Sequence, residues 1–325
     1  MSDAVRSRPI VVTGCPRSGT TWVGSTVGAS SEVLYLYEPF NDGAPHHLDV
    51  PERYLYVAPD SPAHAVPDMS ALIGMGGLGG RARATARGIR LGRRFRSELP
   101  AHLALHEVVR SPASALTARR TLVKDPLAFF AAEWLEARFD ALVVMMVRHP
   151  AGMISSYLKL GWPCEVDSLL RQDGLRERFT EPLAVEIERY HEEPDDRLGG
   201  LILQWKIFAH AAARLREEHP EWLYMSHENV CEEPVPQFRA LFEYLGLRWT
   251  PALERKVVAD STASQVDPAR HQQHALQRDS RTLAAAWRAR LSEADADRIE
   301  NEAGPLWEQL SALAWEPRQR LPQAG

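Results

Sequence analysis

Short, continuous runs of apolar and β-branched residues recur along the chain: Pro9–Thr13 (PIVVT), Val33–Tyr37, Thr121–Lys124, Leu142–Val147 and Trp222–Met225. Each has strand length and lacks the alternation of a half-exposed strand, so each reads as a strand buried on both faces. Between them lie longer stretches with helical spacing, among them Thr20–Ala29, Phe129–Phe139 and Leu198–Glu218. Strands alternating with helices predict an α/β fold in which a parallel sheet is covered by helices on both faces. Pro234–Gly246 places Phe238, Leu241, Phe242 and Leu245 on one face, which predicts an amphipathic helix closing on Gly246 and docked on that sheet. There is no internal repeat and no Pro-rich linker, so one domain over residues 1–325 is expected. The segment 41–120 interrupts the pattern as an irregular insertion. Its seven arginines between Arg81 and Arg96 are the sharpest charge feature of the chain, either a solvated helical face or a lid that meets an anionic substrate or partner.

Composition narrows the class without changing that picture. The chain has 325 residues, 45% hydrophobic and 25% charged, ordinary globular material with ample length to bury a core. A net charge of −5 argues against nucleic acid as a general partner. Cys15, Cys164 and Cys231 are odd in number and far apart, which excludes a disulfide framework and a CxxC metal site. No apolar window has the length of a signal peptide or a membrane span, so a cytoplasmic protein without a membrane span is expected.

The first chemical motif follows the first strand: Gly14-Cys15-Pro16-Arg17-Ser18-Gly19-Thr20-Thr21-Trp22, then a helix. A glycine-bearing turn between a strand and a helix N-terminus aims backbone N–H groups and the helix dipole at one point, where phosphate oxygens bind. Ser18, Thr20 and Thr21 add hydroxyls, and Arg17 adds a cation able to bridge two oxygens. The Gly14 to Gly19 spacing matches a Walker-type loop, but Thr20 stands where that loop carries its lysine. The run PRSGTTW instead resembles the 5′-phosphosulfate loop of sulfotransferases that use 3′-phosphoadenosine-5′-phosphosulfate (PAPS), which read Pro-Lys/Arg-Ser-Gly-Thr-Thr-Trp. A second motif fits the same family. Arg148 follows the strand LVVMMV and Ser156 lies eight residues on, the spacing of the pair that binds the 3′-phosphate there. Pro150 suits the first turn of a helix, which puts Ser156 about two turns in.

The resemblance extends further with weaker motifs. Tyr224-Met225-Ser226-His227-Glu228-Asn229, ahead of the Pro234 helix, is similar to the family's Tyr-Glu-Asp-Leu segment. His227 stands where a tyrosine often lies near the adenine, and Glu228 reads as a structural carboxylate. Gln277-Arg278-Asp279-Ser280-Arg281 is similar to the basic loop over the 3′-phosphate, with Arg278 or Arg281 as candidates. The resemblance implies PAPS as donor and adenosine 3′,5′-bisphosphate as product, with no metal required. His46-His47 lack a third partner at ligand spacing.

It also bears on the general base. The Lys-x-His-Leu-Pro histidine of cytosolic aryl sulfotransferases is absent, because the matching run is Lys124-Asp125-Pro126-Leu127. The run Leu34–Phe40 instead resembles the Glu-Pro segment of carbohydrate and tyrosylprotein sulfotransferases, with Glu38 sixteen residues after Trp22. Glu38 is thus the expected base, with Asp125 and His46 in reserve. Burial among Tyr35, Tyr37 and Phe40 would raise its pKa toward a useful range. Lys124 matches the lysine on the sulfuryl oxygens, Arg17 with Thr20 would stabilise the departing 5′-phosphate, and Trp22 either stacks on the adenine or belongs to the core. The expected activity is sulfuryl transfer to a hydroxyl of a small-molecule or glycan acceptor, a sugar or other alcohol, with the insertion 41–120 shaping the acceptor pocket. The alternatives are a small-molecule kinase with a P-loop-like fold and a catalytically silent nucleotide-binding scaffold.

Overall fold

The computed structural model describes residues 8–44, 47–73, 120–262, 280–312 and 314. In chain order its elements are β1 (Ile10–Gly14), α1 (Thr20–Val27), β2 (Val33–Tyr37), α2 (Met69–Ile73), β3 (Arg120–Lys124), α3 (Ala132–Phe139), β4 (Leu142–Val147) and α4 (Pro150–Leu160). There follow α5 (Val166–Leu170), α6 (Asp173–Phe179), α7 (Ala184–Glu192), α8 (Arg197–Glu218), β5 (Leu223–Ser226), α9 (His227–Glu232) and α10 (Pro234–Leu245). The last are α11 (Pro251–Thr262), α12 (Ser280–Ala284) and α13 (Glu293–Ala312).

The strands form one five-stranded sheet in the order β2-β3-β1-β4-β5, with the helices between them. The fold is therefore the expected α/β arrangement with a parallel sheet. Every residue of β1, β3, β4 and β5 is buried, as strands of a parallel sheet covered on both faces should be. β2, at the sheet's edge, leaves Leu34, Tyr35 and Tyr37 partly exposed.

The chain packs as two compact units. One takes in the described residues of Met1–Thr13, Thr20–Val143 and Leu241–Leu253. Here β3 pairs in parallel with both neighbours, Lys124 opposite Val12 on β1 and opposite Tyr37 on β2. Arg120 opens β3, and its buried guanidinium donates to the carbonyls of Arg8 and Leu245, which ties the C-terminus of α10 to the strand. The other unit takes in the described residues of Gly14–Gly19, Val144–Ala240 and Glu254–Gly325. In it β4 and β5 run parallel, with Val147 opposite Ser226.

The strands lie within a residue of their expected ends, and Phe238, Leu241, Phe242 and Leu245 are all fully buried. The stretch expected as one helix over Phe129–Phe139 divides into a 3₁₀ segment, Pro126–Ala131, and α3. The cause is local: Asp125 caps the 3₁₀ turn through the Leu127 N–H (2.8 Å), and Pro126 enters at its first position. The arginine-rich stretch 81–96 lies outside the described residues. Among those described, no helix is long and apolar enough to cross a membrane.

Phe242 is fully buried and meets Trp249 edge to face at 5.2 Å. Replacing it by alanine is expected to cost ~3–5 kcal/mol of stability, measured by urea denaturation. A loss under 1 kcal/mol would mean that α10 does not depend on this contact.

Candidate active site

The loop after β1 is shaped by its own backbone. The Cys15 N–H donates to the Met146 carbonyl at 3.0 Å, and the Ser18 N–H closes back on the Cys15 carbonyl at 3.1 Å. Arg17 takes the left-handed conformation at φ 63°, uncommon for a side-chain-bearing residue. Gly19, at φ 90°, lies so near His227 that a Cβ there would come within 2.6 Å of Nδ1.

Arg17 and Arg148, far apart in sequence, are joined here. Arg17 Nε donates to Ser156 Oγ at 2.9 Å, its guanidinium lies 5.2 Å from the centre of the Trp162 ring, and its carbonyl accepts from Arg148 Nη1 at 2.6 Å. Ser156 stands on α4, whose first turn is capped by His149: Nδ1 accepts from the Ala151 N–H at 3.2 Å. Arg148 folds back over that turn, where a Cβ on Gly152 would sit 2.6 Å from Arg148 Nε. The Arg148 carbonyl accepts from Trp205 Nε1 at 3.0 Å.

At this cluster Ser18 Oγ, Arg148 Nε and His227 Nδ1 are buried with no hydrogen-bond partner among the described residues. Buried donors left unmet are costly, and oxygens of a bound anion would satisfy Ser18 and Arg148. Burial pulls the Arg148 guanidinium down to about 10, with the Glu228 carboxylate working against that shift, so the group stays cationic at neutral pH. Glu228 has the structural role expected of it, accepting from the His149 N–H (3.2 Å) and from Ser226 Oγ (3.1 Å). Burial raises its carboxyl and Arg148 opposes the rise. Burial, with Arg148 and Arg17 adding to it, drives His227 well below the usual imidazole range, which keeps it neutral.

The other unit holds a second cluster, built where β2 and β3 end. Lys124 is fully buried, and its Nζ meets Glu38 Oε1 at 2.5 Å, Thr21 Oγ1 at 3.2 Å and the face of Tyr37 at 3.8 Å. The Glu38 N–H donates to the Lys124 carbonyl at 2.8 Å, and Asn41 Nδ2 donates to Glu38 Oε2 at 2.7 Å. Glu38 sits at φ 45° directly before Pro39, where extended backbone is the norm. Asp125, held in reserve as a base, is fully buried, with one oxygen accepting from the Phe40 N–H (2.6 Å) and the other from the Leu127 N–H (2.8 Å). Burial pushes its carboxyl up to about 7, with Glu38 adding to the rise. Those two contacts give it a structural role in the turn. Trp22 is only 8% exposed on α1.

Of the sequence candidates, the structure thus groups Arg17, Ser18, Gly19, Arg148, Ser156 and His227, and separately Thr21, Glu38 and Lys124. Thr20 opens α1 and is buried. His46, Arg278 and the side chain of Arg281 lie outside the described residues.

A model of the sulfotransferase family matches residues 9–251, which is most of the chain. The chain belongs to the sulfotransferase family. No curated protein sequence matches it. Among solved structures it is similar to the sulfotransferase domain of the Synechococcus PCC 7002 olefin synthase, at 15% identity over 95% of both chains with a TM-score of 0.44. Sulfotransferase STF9 from Mycobacterium avium matches at 14% identity over 94% of this chain and 77% of its own, TM-score 0.41. Mouse sulfotransferase SULT7A1, solved with PAP, matches at 11% over 94% and 88%, TM-score 0.38.

Four residues of the candidate site escape motif reading. Asn41 follows the Glu-Pro pair, Trp162 packs on Arg17, and Gly152 makes room for Arg148. His149 is stacked on Trp287 at 5.2 Å and edge-on to Trp307. Gly152, a glycine within the first turn of a helix, and His149, a histidine beside Arg148, carry a sequence signal, and the other two do not.

Burial, then the charges of Arg288 and Arg148, lower His149 to about 4. Unfolded chains bind that proton near pH 6.5. The stability it confers is therefore complete above about 6.5 and is lost as pH falls toward 4. His149→Phe, which keeps the stack and cannot titrate, is expected to flatten the fall in unfolding free energy over that range. His227 contributes in the same direction and leaves a residual slope. An unchanged slope in urea melts at several pH values would rule out His149 as a source.

Proposed function

We propose that this sulfotransferase takes PAPS as its donor and sulfates a hydroxyl of a small-molecule or glycan acceptor, a sugar or other alcohol. The observation that carries the donor assignment is the joining of the Arg17–Gly19 loop to Arg148 and Ser156, with Ser18 Oγ and Arg148 Nε buried and unmet. Two motifs that share hydrogen bonds, each carrying a buried donor without a partner among the described residues, fit a ligand with two separate phosphates better than one with a single chain of them. PAPS would supply the sulfuryl group and leave as adenosine 3′,5′-bisphosphate.

The residues divide that work. Arg17, Ser18, Gly19, Thr20 and Thr21 would hold the 5′-phosphosulfate through the loop N–H groups, hydroxyls and a cation, and Arg17 would stabilise the charge that grows on the leaving oxygen. Arg148 and Ser156, with Arg278, would hold the 3′-phosphate, while Trp22 and His227 would contact the adenine. Lys124 would face the sulfuryl oxygens, and Glu38 would take the proton of the acceptor hydroxyl. The Glu38-Pro39 pair favours an aliphatic alcohol over a phenol. The segment 41–120 would shape the acceptor pocket within a single sulfotransferase-like domain. Positioning and electrostatic stabilisation suffice for such a transfer without a metal. Three free thiols fit a reducing, cytoplasmic setting.

Thermal unfolding with adenosine 3′,5′-bisphosphate, 5′-ADP, and ATP with Mg²⁺ at equal concentrations tests the donor. The 3′,5′-bisphosphate is expected to raise the midpoint by several degrees without metal, since a ligand at 100 times its Kd adds about 2.7 kcal/mol. Stabilisation by ATP with Mg²⁺ alone would favour a small-molecule kinase instead. In calorimetric titrations, Arg148→Ala is expected to weaken the 3′,5′-bisphosphate about 10–100-fold and leave 5′-AMP nearly unchanged, the size of a lost charged hydrogen bond. Equal losses for both would sink the assignment of Arg148.

A further inference from the structure

The Glu38 carboxylate does not reach its position by backbone preference. Its φ of 45° is unfavourable for a residue with a side chain, and the proline that follows disfavours it again. Something must hold it there. Lys124 supplies one half of the hold, through Glu38 Oε1 and the backbone bond from the Glu38 N–H. Asn41 supplies the other. Its N–H closes a turn on the Glu38 carbonyl at 2.9 Å, and its Nδ2 reaches Glu38 Oε2 at 2.7 Å. The amide is itself oriented, because Oδ1 accepts from the Gly43 N–H at 3.2 Å, an Asx-type turn that leaves Nδ2 as the end facing the carboxylate.

We propose that Asn41 is a positioning residue for Glu38, fixing the carboxylate's orientation and favouring its ionised form by a hydrogen bond to Oε2. This rests on Glu38 as the general base. The division of the two oxygens gives the proposal its mechanistic content. The Lys124 contact on Oε1 is buried, whereas the Asn41 contact on Oε2 is only partly so. Oε2 is therefore the oxygen that an acceptor hydroxyl approaches, and the Asn41 amide sets its direction. Among the described residues, the charged and titratable groups at Glu38 include Lys124, whose charge favours its ionised form, Asp125, which opposes it, and Tyr37, whose ring lies against Lys124. A donor on Oε2 adds to the Lys124 effect.

The test is a titration of the Glu38 carboxyl by ¹³C NMR in the full-length protein labelled at glutamate, the resonance being assigned by its loss in Glu38→Gln. Asn41→Ala is expected to move the midpoint up by about one pH unit, a tenfold easier protonation, as loss of a hydrogen bond to the charged form should. Asn41→Asp keeps the acceptor for the Gly43 N–H but sets a second carboxylate against Oε2, and is expected to move it further up. Binding of adenosine 3′,5′-bisphosphate is expected to stay within twofold of wild type in both, which shows that each has folded. A merely structural Asn41 would lower the unfolding temperature and leave the midpoint where it is, and that result overturns the proposal. The underlying base assignment fails separately: sulfation that persists in Glu38→Gln removes Glu38 as base, and Asn41 as its positioner, whatever the titration shows.

Discussion

A lysine withdrawn completely from water can keep its charge only if the protein replaces the lost solvation, and Lys124 is such a lysine. The last residue of β3 is compensated by a carboxylate from the end of β2, a hydroxyl from the first turn of α1 and the face of a tyrosine. Removing one partner of a buried pair costs about 3–5 kcal/mol, so these contacts constrain one another. That is why Glu38 can persist in a left-handed conformation before a proline. Strain of this kind is retained where surrounding structure over-determines it, and it puts the carboxylate at the carboxyl end of a parallel strand, where α/β proteins bind their ligands.

The second unit solves a different problem with similar means. There two guanidiniums, those of Arg17 and Arg148, gather at one loop. Arg17 is steadied by a serine hydroxyl and a tryptophan face, Arg148 by a carbonyl and, at longer range, by Glu228. Ser18 Oγ and Arg148 Nε stay unmet among the described residues, and the oxygens of an anion would satisfy them. The two clusters therefore suit opposite tasks: the Lys124 pair is neutral in sum and can manage a proton, whereas the Arg17 and Arg148 group is cationic and can hold phosphate.

Much of this was legible in the sequence, for reasons that can be named. Buried parallel strands are continuous apolar runs, so β1 to β5 stand out, and the Gly14–Trp22 and Arg148–Ser156 spacings are local enough to read directly. The Glu38-Pro39 pair was likewise visible. What escaped depends on contacts between distant residues or on backbone geometry. That Arg17 bonds to Ser156 follows from the packing of a loop against a helix, which spacing does not encode. That Asp125 accepts from the Phe40 and Leu127 N–H groups depends on backbone placement that the sequence does not show. Over Phe129–Phe139 apolar periodicity predicts a single helix, but a capping aspartate followed by proline starts a 3₁₀ turn, and the periodicity does not distinguish the two.

If one cluster moves a proton and the other holds a phosphosulfate, the decisive measurement is transfer itself. The protein would be incubated with PAPS labelled at sulfur, a panel of sugars and aliphatic alcohols, and a metal chelator. Label appearing in an alcohol, matched mole for mole by adenosine 3′,5′-bisphosphate and abolished by Glu38→Gln, is the expected result. Absence of transfer from PAPS to the whole panel, together with phosphoryl transfer from ATP and Mg²⁺ to one of its members, would contradict it.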